Sequence, residues 1–336
     1  MALASSFGLF RTHVGVDENG LGPRLGPLIV TAVSARASEE AAPILSKRPR
    51  GGLAARLGDS KRLVSFDDSA LGEAWARALA PGPRTPEELV RALSLDDDAT
   101  LRTPCPSHHE RQCWGADGEA FAAEPEAVET IARDLAKLAE RGVQVTRVRV
   151  AIVCTKRLNE AVARGKSRFD TDLHTMERLV IDAAGAPDAG GDVLATCGKV
   201  GGFDRYGDAF ARFMLHAPLV EGRARSEYRV PGVGTVAFVR DAEERHPLVA
   251  MASLVGKWVR DLLMRRIVRF HQASVPDAPH ASGYHDPVTT RFIKATALAR
   301  RASRVEDECF VRRALPSEPT TSTEPEPATE TPQASP

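Results

Sequence analysis

The chain lacks both a long apolar run and a net charge. Its 336 residues contain 45 Lys and Arg against 45 Asp and Glu, so any affinity for polyanions must come from a local basic surface. No segment approaches the roughly 20 apolar residues that span a bilayer. The first residues, MALASSFGLFRT, are too short and too little apolar for a secretory signal. We expect a monomer in the cytoplasm with no membrane contact.

Cysteine is also scarce, and familiar catalytic loops are missing. Five cysteines at irregular positions make no disulfide framework, and their odd number fits a reducing compartment. There is no Walker loop, dinucleotide fingerprint or recognisable nucleophile elbow. Cys105-x-x-His108-His109-x-x-x-Cys113 has the residue types for zinc at plausible spacing. Because it lies in a polar stretch without a second pair of cysteines, we interpret it as part of an irregular insertion.

Two stretches differ in composition from the rest of the chain. Hydrophobic residues make up 43% and charged residues 27% of the whole, as in ordinary globular proteins that bury a core. Residues 316–336 consist almost wholly of Pro, Glu, Thr, Ser and Ala, so we predict a disordered tail. Residues 84–125 are polar and irregular. We interpret them as an insertion on a single folded domain that spans residues 1–315.

Hydrophobic periodicity predicts a mixed α/β sheet, because strands come first in hairpins and later alternate with helices. The best-defined element is the helix after Glu243, where Pro247 suits the first turn and apolar residues recur at spacings of three and four. The other predicted elements are helices at 127–141, 170–183 and around 207–215, strands at 144–154 and 192–196, and a hairpin of 227–230 with 235–240.

The most informative stretch is HVGVDENGLGPRLGPLIVTAV, residues 13–33. It sets Asp17 and Glu18 at the end of an apolar strand, just before a glycine-rich turn. Consecutive strand residues face opposite sides, so both carboxylates reach one site only where the backbone bends, which glycine permits. Carboxylates brought together repel unless a proton or cation lies between them, and oxygen ligands favour Mg²⁺ or Mn²⁺. The alternative is a solvated turn with two acids at its edge.

The residues around this pair resemble the opening motif of the ribonuclease HII family, in which an Asp-Glu pair, a Gly-Arg-Gly turn and a Gly-Pro precede the second strand. Three further segments are similar to family motifs and follow in the same order. They are DSKRL at 59–63, AEERHPLVAMASLVGKWVRD at 242–261 and SGYHDPVTTRF at 282–292, with archaeal-type features in the last. Four ordered motifs over most of the chain are hard to explain by chance, so they carry the fold prediction.

The resemblance implies a ribonuclease H-like domain, a mixed sheet flanked by helices, with four carboxylates around two Mg²⁺ or Mn²⁺ ions. It also implies endonucleolytic hydrolysis of the RNA strand of RNA–DNA hybrids, in which one ion activates water and the other stabilises the leaving oxygen. On the matching positions, Asp17 and Glu18 are the first two metal ligands. Glu243 is a third, in place of the family's Asp, and Asp241 is the fallback for that role.

The fourth family carboxylate, an Asp that ends a strand, has no counterpart in this chain. Its position holds Cys197 or Gly198, and neither offers a hard oxygen ligand. Asp204 and Asp208 lie downstream and are candidates to substitute. We expect the second metal ion to bind weakly. A degenerate relative that binds nucleic acid without efficient hydrolysis is therefore the alternative to an active enzyme.

The expected substrate contacts are also altered. Leu21 replaces the arginine of the Gly-Arg-Gly turn, so glycine amides can still approach a sugar–phosphate chain but the arginine contact is lost. Tyr284, in the Gly-Tyr segment, is interpreted as part of a structural turn. The residues expected to bind the hybrid are Gly20, Gly22, Lys61, Lys257 and Lys199, the last beside a glycine-rich turn.

Two of these lysine segments have structural alternatives. Asp59 or Ser60 is suited to capping a helix that contains Lys61. Lys257 is suited to a phosphate contact or to a salt bridge that orders the carboxylates. Arg260, on the same side of that helix, is interpreted as part of a solvated face.

Overall fold

The computed structural model describes residues 10–107, 112–200 and 203–313 of the chain. The predicted tail at 316–336 lies outside these ranges, as do His108 and His109. Within them, no helix combines the length and the apolar character needed to cross a membrane.

One mixed sheet forms the centre of the fold. Its strands, in chain order, are β1 (Arg11–Asn19), β2 (Leu28–Ala37), β3 (Val143–Val153), β4 (Val193–Gly198), β5 (Ala217–Val220), β6 (Arg225–Val230) and β7 (Gly234–Val239). They lie in the order β3-β2-β1-β4-β7-β6-β5. The pairs β1–β4 and β4–β7 are parallel and the other neighbours are antiparallel. The predicted mixed α/β sheet and the predicted hairpin, β6–β7, are confirmed.

Helices flank this sheet. In chain order they are α1 (Ser60–Leu63), α2 (Ala70–Leu79), α3 (Pro86–Leu93), α4 (Asp98–Arg102), α5 (Pro125–Glu140), α6 (Thr155–Ala163), α7 (Arg168–Ala184), α8 (Ala242–Arg245), α9 (Pro247–Gln272), α10 (Pro287–Ala295), α11 (Ala297–Ala302) and α12 (Asp307–Phe310). Short 3₁₀ helices occur at Ala42–Ser46, Gly51–Ala55 and Gly207–Ala209.

Helix α9 packs directly on β1 because both elements carry glycine where they meet. A Cβ on Gly15 would lie 2.4 Å from backbone atoms of Leu248 and Val249 in α9. A Cβ on Gly256 would lie 2.2 Å from the side-chain oxygen of Asn19, at the end of β1. This close approach fixes α9 along β1 and sets its middle turns beside the end of that strand.

The opposite face of β1 is covered by α7. Val14 and Val16 pack with Met176 and other apolar residues of α7 in one buried cluster. Because side chains alternate along a strand, Glu18 shares the α7 face with these valines, whereas Asp17 points toward α9. The two carboxylates thus approach the end of β1 from opposite faces of the sheet.

The predicted helix around 207–215 is wrong, since only the 3₁₀ turn Gly207–Ala209 forms there. The carboxylate of buried Glu177 accepts hydrogen bonds from three consecutive backbone N–H groups, those of Ala211, Arg212 and Phe213. These donors are therefore satisfied by a side chain of α7 and need no helical partners.

The stretch at 84–125 is less irregular than its composition indicates. It contains α3 and α4. Leu89, Leu93 and Leu101 from these helices are buried and join the main hydrophobic cluster beneath β2 and β3. This part of the chain thus contributes to the core on one face of the sheet.

Replacing Gly15 with alanine is expected to destabilise the fold, because the added Cβ meets α9 backbone at 2.4 Å. Adding a carbon to a packed core typically costs about 1–3 kcal/mol. Gly115→Ala is the matched control, since a Cβ there meets nothing within 4 Å. Urea unfolding should show a loss in Gly15→Ala alone. Equal midpoints for both variants would contradict the close approach of α9 to β1.

Candidate active site

The parallel strands β1 and β4 end side by side. Val16 pairs with Cys197, and a Cβ on the next residue, Gly198, would lie 2.6 Å from Asp17 Oδ1. The predicted strand at 192–196 therefore runs beside the strand of Asp17. Of the two positions considered for the missing carboxylate, Gly198 lies at this edge, whereas Cys197 is fully buried in the core behind it.

A pocket of about 350 Å³ opens at this edge of the sheet. Residues far apart in sequence meet in its wall, with Asp17 and Glu18 from β1, Lys61 from α1 and Glu243 from α8. The other lining residues that the sequence analysis singled out are Gly20, Gly22, Gly198, Lys199, Asp241 and Lys257. Of the residues expected at the site, only Cys197 and the two candidate substitutes Asp204 and Asp208 do not line this pocket.

The carboxyl group of Asp17 is buried, and burial raises its pKa well above the ordinary value. The nearby Glu18 raises this pKa further, and Glu243 adds a smaller effect in the same direction. A hydrogen bond from the hydroxyl of Ser253 on α9 and the charge of Lys61 act in the opposite direction. Asp17 therefore holds its proton strongly unless more positive charge enters the pocket.

The pKa of Glu18 is also raised. One of the causes is a carboxyl group that was not among the predicted site residues. Burial, followed by the charge of Asp172 in α7, raises the pKa of Glu18 to about 8. Asp172 itself is fully buried, and neither of its carboxyl oxygens has a hydrogen-bond partner among the described residues. Burial, and next the charge of Asp17, raise the pKa of Asp172. The three groups cannot all ionise at neutral pH without a cation.

A signal for Asp172 was present in the sequence. Met176 and Ala183 follow it at helical spacing on the buried face of α7. An acid on the apolar stripe of a helix is unusual, because burying an unpaired carboxylate is costly. Asp172 lies within the helix predicted at 170–183. That it faces the Asp17–Glu18 pair became clear only when the order of the strands was known.

The donor atoms of this pocket suit a hard divalent cation. Among the described residues, no group of three or more His, Cys, Asp or Glu side chains is already arranged to hold a metal ion. The groups in this pocket that could become metal ligands are carboxyl oxygens. Both carboxyl oxygens of the neighbouring Asp172 have no hydrogen-bond partner in the described structure. Mg²⁺ and Mn²⁺ prefer oxygen ligands. A divalent charge would also offset the repulsion that raises the pKa of Asp17 and Glu18.

Glu243 and Asp241 differ in their relation to the acidic cluster. Glu243 is half-buried and raises the pKa of both Asp17 and Glu18, so its carboxylate faces them. Asp241 is exposed, has a left-handed backbone with φ 53°, and lies 3.6 Å from the guanidinium of Arg240. Asp241 therefore belongs to the rim of the pocket.

Two of the predicted lysines have defined partners. Lys61 is exposed, and its charge lowers the pKa of Asp17, so its ammonium faces the acidic cluster. Its backbone N–H donates to the carboxylate of Asp59 at 2.9 Å, so the helix cap considered for this segment is present. Lys257 forms a salt bridge of 2.9 Å with Asp261, one turn along α9. That partner is a residue of its own helix, outside the acidic cluster.

Lys199 does not have the free ammonium group that phosphate binding requires. Its Nζ donates to the carbonyl of Gly222 at 2.5 Å and to Ser226 Oγ at 3.2 Å. It also pairs with Asp204 at 3.2 Å, and only 2% of the Lys199 side chain is exposed. Lys199 thus holds the β5–β6 connection, and Asp204 is its partner. Asp208 does not line the pocket.

The glycine turn after β1 is held by arginines from distant parts of the chain. Gly20 has φ +88°, a conformation that glycine adopts without strain. The Arg312 guanidinium donates to the carbonyls of Gly20 at 2.5 Å and Gly26 at 2.8 Å. Arg168 donates to the carbonyl of Gly22 at 3.3 Å. The turn therefore keeps one shape although its own sequence is flexible.

Arg260 is another support of this turn, and the expected solvated position is wrong. Arg260 is fully buried, donates to Asp261 and to the carbonyl of Ser282, each at 2.8 Å, and packs against Gly20. Its guanidinium carbon lies 4.4 Å from the ring centre of Tyr284. Tyr284 is 44% exposed and lines the pocket, so its ring forms part of the wall.

Comparisons with known proteins return ribonucleases H among solved structures. No protein-family model matches the chain, and no curated protein matches it. A structure of the PCNA–RNase HII complex from Archaeoglobus fulgidus is similar at 18% identity and TM-score 0.41, over 94% of this chain and 98% of that one. Ribonuclease H2 from Pyrococcus horikoshii OT3 matches at 15% identity and TM-score 0.39, over 89% and 92%. Bst-RNase HIII in complex with Mn²⁺ matches at 13% and 0.35, over 89% and 74%.

The chemistry proposed below rests on the residues of the pocket.

Glu18→Gln is expected to change how stability depends on pH. Folded Glu18 has a pKa of about 8 against an ordinary 4.5, so the folded state binds the proton more tightly than the unfolded state. Stability is therefore lost as pH rises from about 5 to about 8. Glu18→Gln should remove part of this loss. Because 1 kcal/mol of stability shifts Tm by about 2–4 °C, the Tm of the variant should fall by a few °C less than that of the wild type. Mn²⁺ should restore Tm in the wild type at pH 8.

The measurement is Tm against pH for the wild type, Glu18→Gln and the control Glu129→Gln, an exposed position on α5. Glu129→Gln should follow the wild type. A Glu18→Gln profile parallel to the wild type would show that Glu18 is not the group responsible.

Proposed function

We propose that the protein is a metal-dependent endonuclease that hydrolyses the RNA strand of RNA–DNA hybrids. The observation that carries the proposal is the meeting of Asp17, Glu18 and Glu243 in one open pocket, although Glu243 comes from a distant part of the chain. Buried Asp172 lies beside them, and Lys61 faces them from α1. Phosphodiester hydrolysis needs this combination, because negative charge develops on phosphorus and on both reacting oxygens.

Asp17, Glu18 and Glu243 would hold the divalent cation. When bound, such a cation supplies an activated water and neutralises charge on the phosphate and the leaving oxygen. The carboxyl groups of Asp17 and Glu18 release the protons that burial makes them keep, since ligands must be deprotonated. The hydroxyl of Ser253 lies close enough to Asp17 to lower its pKa, and its own hydrogen bond to Ser60 Oγ, at 2.9 Å, holds it in that place.

Asp172 compensates in part for the absent carboxylate in this proposal. Gly198 offers no side chain at the position where the family has an Asp. Asp172 adds a buried negative charge beside Asp17 and Glu18 from the α7 face. Because it is fully buried, it acts through those two residues, and we regard it as a positioning residue.

The substrate's sugar–phosphate chain would lie across the glycine turn. Backbone amides of Gly20 and Gly22 are the groups that approach it, since both residues line the pocket and neither carries a side chain. Lys61 is exposed, and its charge acts on both Asp17 and Glu18, so it is suited to a phosphate beside the cleaved bond. Leu21 also lines the pocket and offers only apolar contact there.

A basic surface continues from the pocket and supports nucleic-acid binding. Asp59 lines both the active-site pocket and a neighbouring groove of about 320 Å³. Arg48 lines that groove and a third hollow of about 510 Å³. The cations around this third hollow are Lys47, Arg48, Arg50, Arg56, Lys137 and Arg141, with Asp134 as its acid. The chain has no net charge, so this is the kind of local surface that polyanion binding requires.

The second candidate is a protein that binds hybrids without cutting them efficiently. The observation in its favour is the glycine at position 198. It lies beside Asp17 but has no side chain, so the pocket lacks the carboxylate that the family resemblance implies there. The pocket and the basic surface serve either function, so the two candidates differ only in hydrolysis.

Asp17→Asn is expected to abolish hydrolysis and preserve binding. The amide keeps the shape of the side chain but removes the charge that would hold the cation, whereas affinity rests mainly on Lys and Arg contacts to phosphates. Wild type and variant should be compared at equal concentration on one labelled RNA–DNA hybrid with Mn²⁺, with cleavage and binding measured on the same samples. Binding by both with cleavage by neither would favour the second candidate. Cleavage by both would place the active site elsewhere.

Arg50→Ala and Arg141→Ala are expected to weaken hybrid binding because both cations line the basic hollow. Each lost phosphate contact should reduce the slope of log K against log salt by about one. Arg301→Ala, an exposed position on α11, is the control and should match the wild type. Unchanged slopes in both test variants would remove this hollow from the proposed binding surface.

A further inference from the structure

Four of the five cysteines surround one small cavity beside the N-terminus of α6. They come from four separate segments. Cys105 follows α4, Cys113 precedes α5, Cys154 is the N-cap of α6, and Cys309 lies in α12. The cavity that they line has a volume of about 20 Å³. The fifth cysteine, Cys197, lies in the core behind β4.

The surroundings of this cavity suit a soft metal ion. Its described lining contains no carboxylate, and its polar side chains besides the thiols are Gln112 and Lys156. A space of roughly 10–15 Å³ holds one water molecule, so this cavity has room for a single ion. Sulfur ligands in a set of four select zinc or iron–sulfur clusters over hard cations, and a cluster needs more room than one ion.

Further contacts stabilise the four positions. Burial raises the pKa of the Cys154 thiol, and the backbone N–H groups of Arg157 and Lys156 in the first turn of α6 act in the opposite direction. The side-chain amide of Gln112 donates to the carbonyl of Cys309 at 2.9 Å. The ammonium of Lys156 lies at the cavity wall, where its positive charge offsets part of the negative charge that several thiolates would carry.

We propose that Cys105, Cys113, Cys154 and Cys309 bind one structural Zn²⁺ ion. Structural zinc sites are tetrahedral and closed, and four thiolates are one of their usual ligand sets. Among the described residues no group of three or more His, Cys, Asp or Glu side chains is placed to hold a metal ion, so the proposal includes a rearrangement that brings the four thiols together. The second cysteine pair that the local sequence lacks is thus supplied in space by Cys154 and Cys309.

Such an ion would connect the cysteine cavity to the glycine turn. Cys309 lies just before the segment in which Val311 forms a β-bridge with Leu25 and Arg312 donates to Gly20. The ion would also fasten the 84–125 stretch to α6. This role is structural and independent of the proposed nuclease activity.

The first test is the metal content of the full-length protein purified from zinc-supplemented medium. We expect about one zinc per chain after dialysis against buffer with Mg²⁺, and its release by a mercurial reagent that titrates thiols. Cys105→Ser and Cys154→Ser should lose most of the zinc. Cys197→Ala, which removes the cysteine outside the cavity, should retain it.

The second test does not depend on variants that fold poorly. Wild-type protein with Co²⁺ in place of zinc should show the strong visible bands of tetrahedral cobalt–thiolate coordination, and equimolar Zn²⁺ should remove them. Absence of both zinc and the cobalt bands would overturn the proposal. So would disulfides among these four cysteines in the freshly purified protein, or iron at the same thiols.

Discussion

The direct contact between β1 and α9 is the constraint on which the site depends. Gly15 and Gly256 allow backbone and side-chain atoms of the two elements to meet without an intervening layer. That contact brings the Ser253 hydroxyl to Asp17 and sets Arg260 beneath the glycine turn. Larger residues at the two glycine positions would separate the helix from the strand, and the pocket would lose one of its walls.

The second constraint is electrostatic. Three carboxyl groups, those of Asp17, Glu18 and Asp172, interact at the end of the sheet, where burial raises the pKa of each. Their charged forms oppose folding, because burial and mutual repulsion both penalise ionisation. A folded core of this size tolerates such a penalty at a functional site, where stability and activity often conflict. The same penalty makes the pocket receptive to a cation.

The features that could be predicted from the sequence are encoded by neighbouring residues. The features that could not be predicted depend on packing between distant parts of the chain. Asp17 and Glu18 were found because a strand, an acid pair and a glycine turn are contiguous in sequence, and the mixed sheet followed from periodicity. Asp172 was missed because its unusual place on the apolar stripe of α7 points to the site only when the facing strand is known. Lys199 was misread because three of its four acceptors lie in the β5–β6 connection and on β6, more than twenty residues away in sequence. The cysteine cavity was hidden for the same reason, since its members come from four separate segments.

The contacts of Arg312 have a consequence for biosynthesis. They connect the end of the described chain to Gly20 and Gly26 near its beginning, across 292 and 286 residues. The glycine turn emerges from the ribosome early, and the Arg312 guanidinium follows 292 residues after Gly20. A nascent chain can thus form most of the sheet while the turn beside the acidic pocket still lacks the contacts of Arg312. The pocket acquires its final shape only when synthesis of the domain is essentially finished, so an incomplete chain carries an incomplete site.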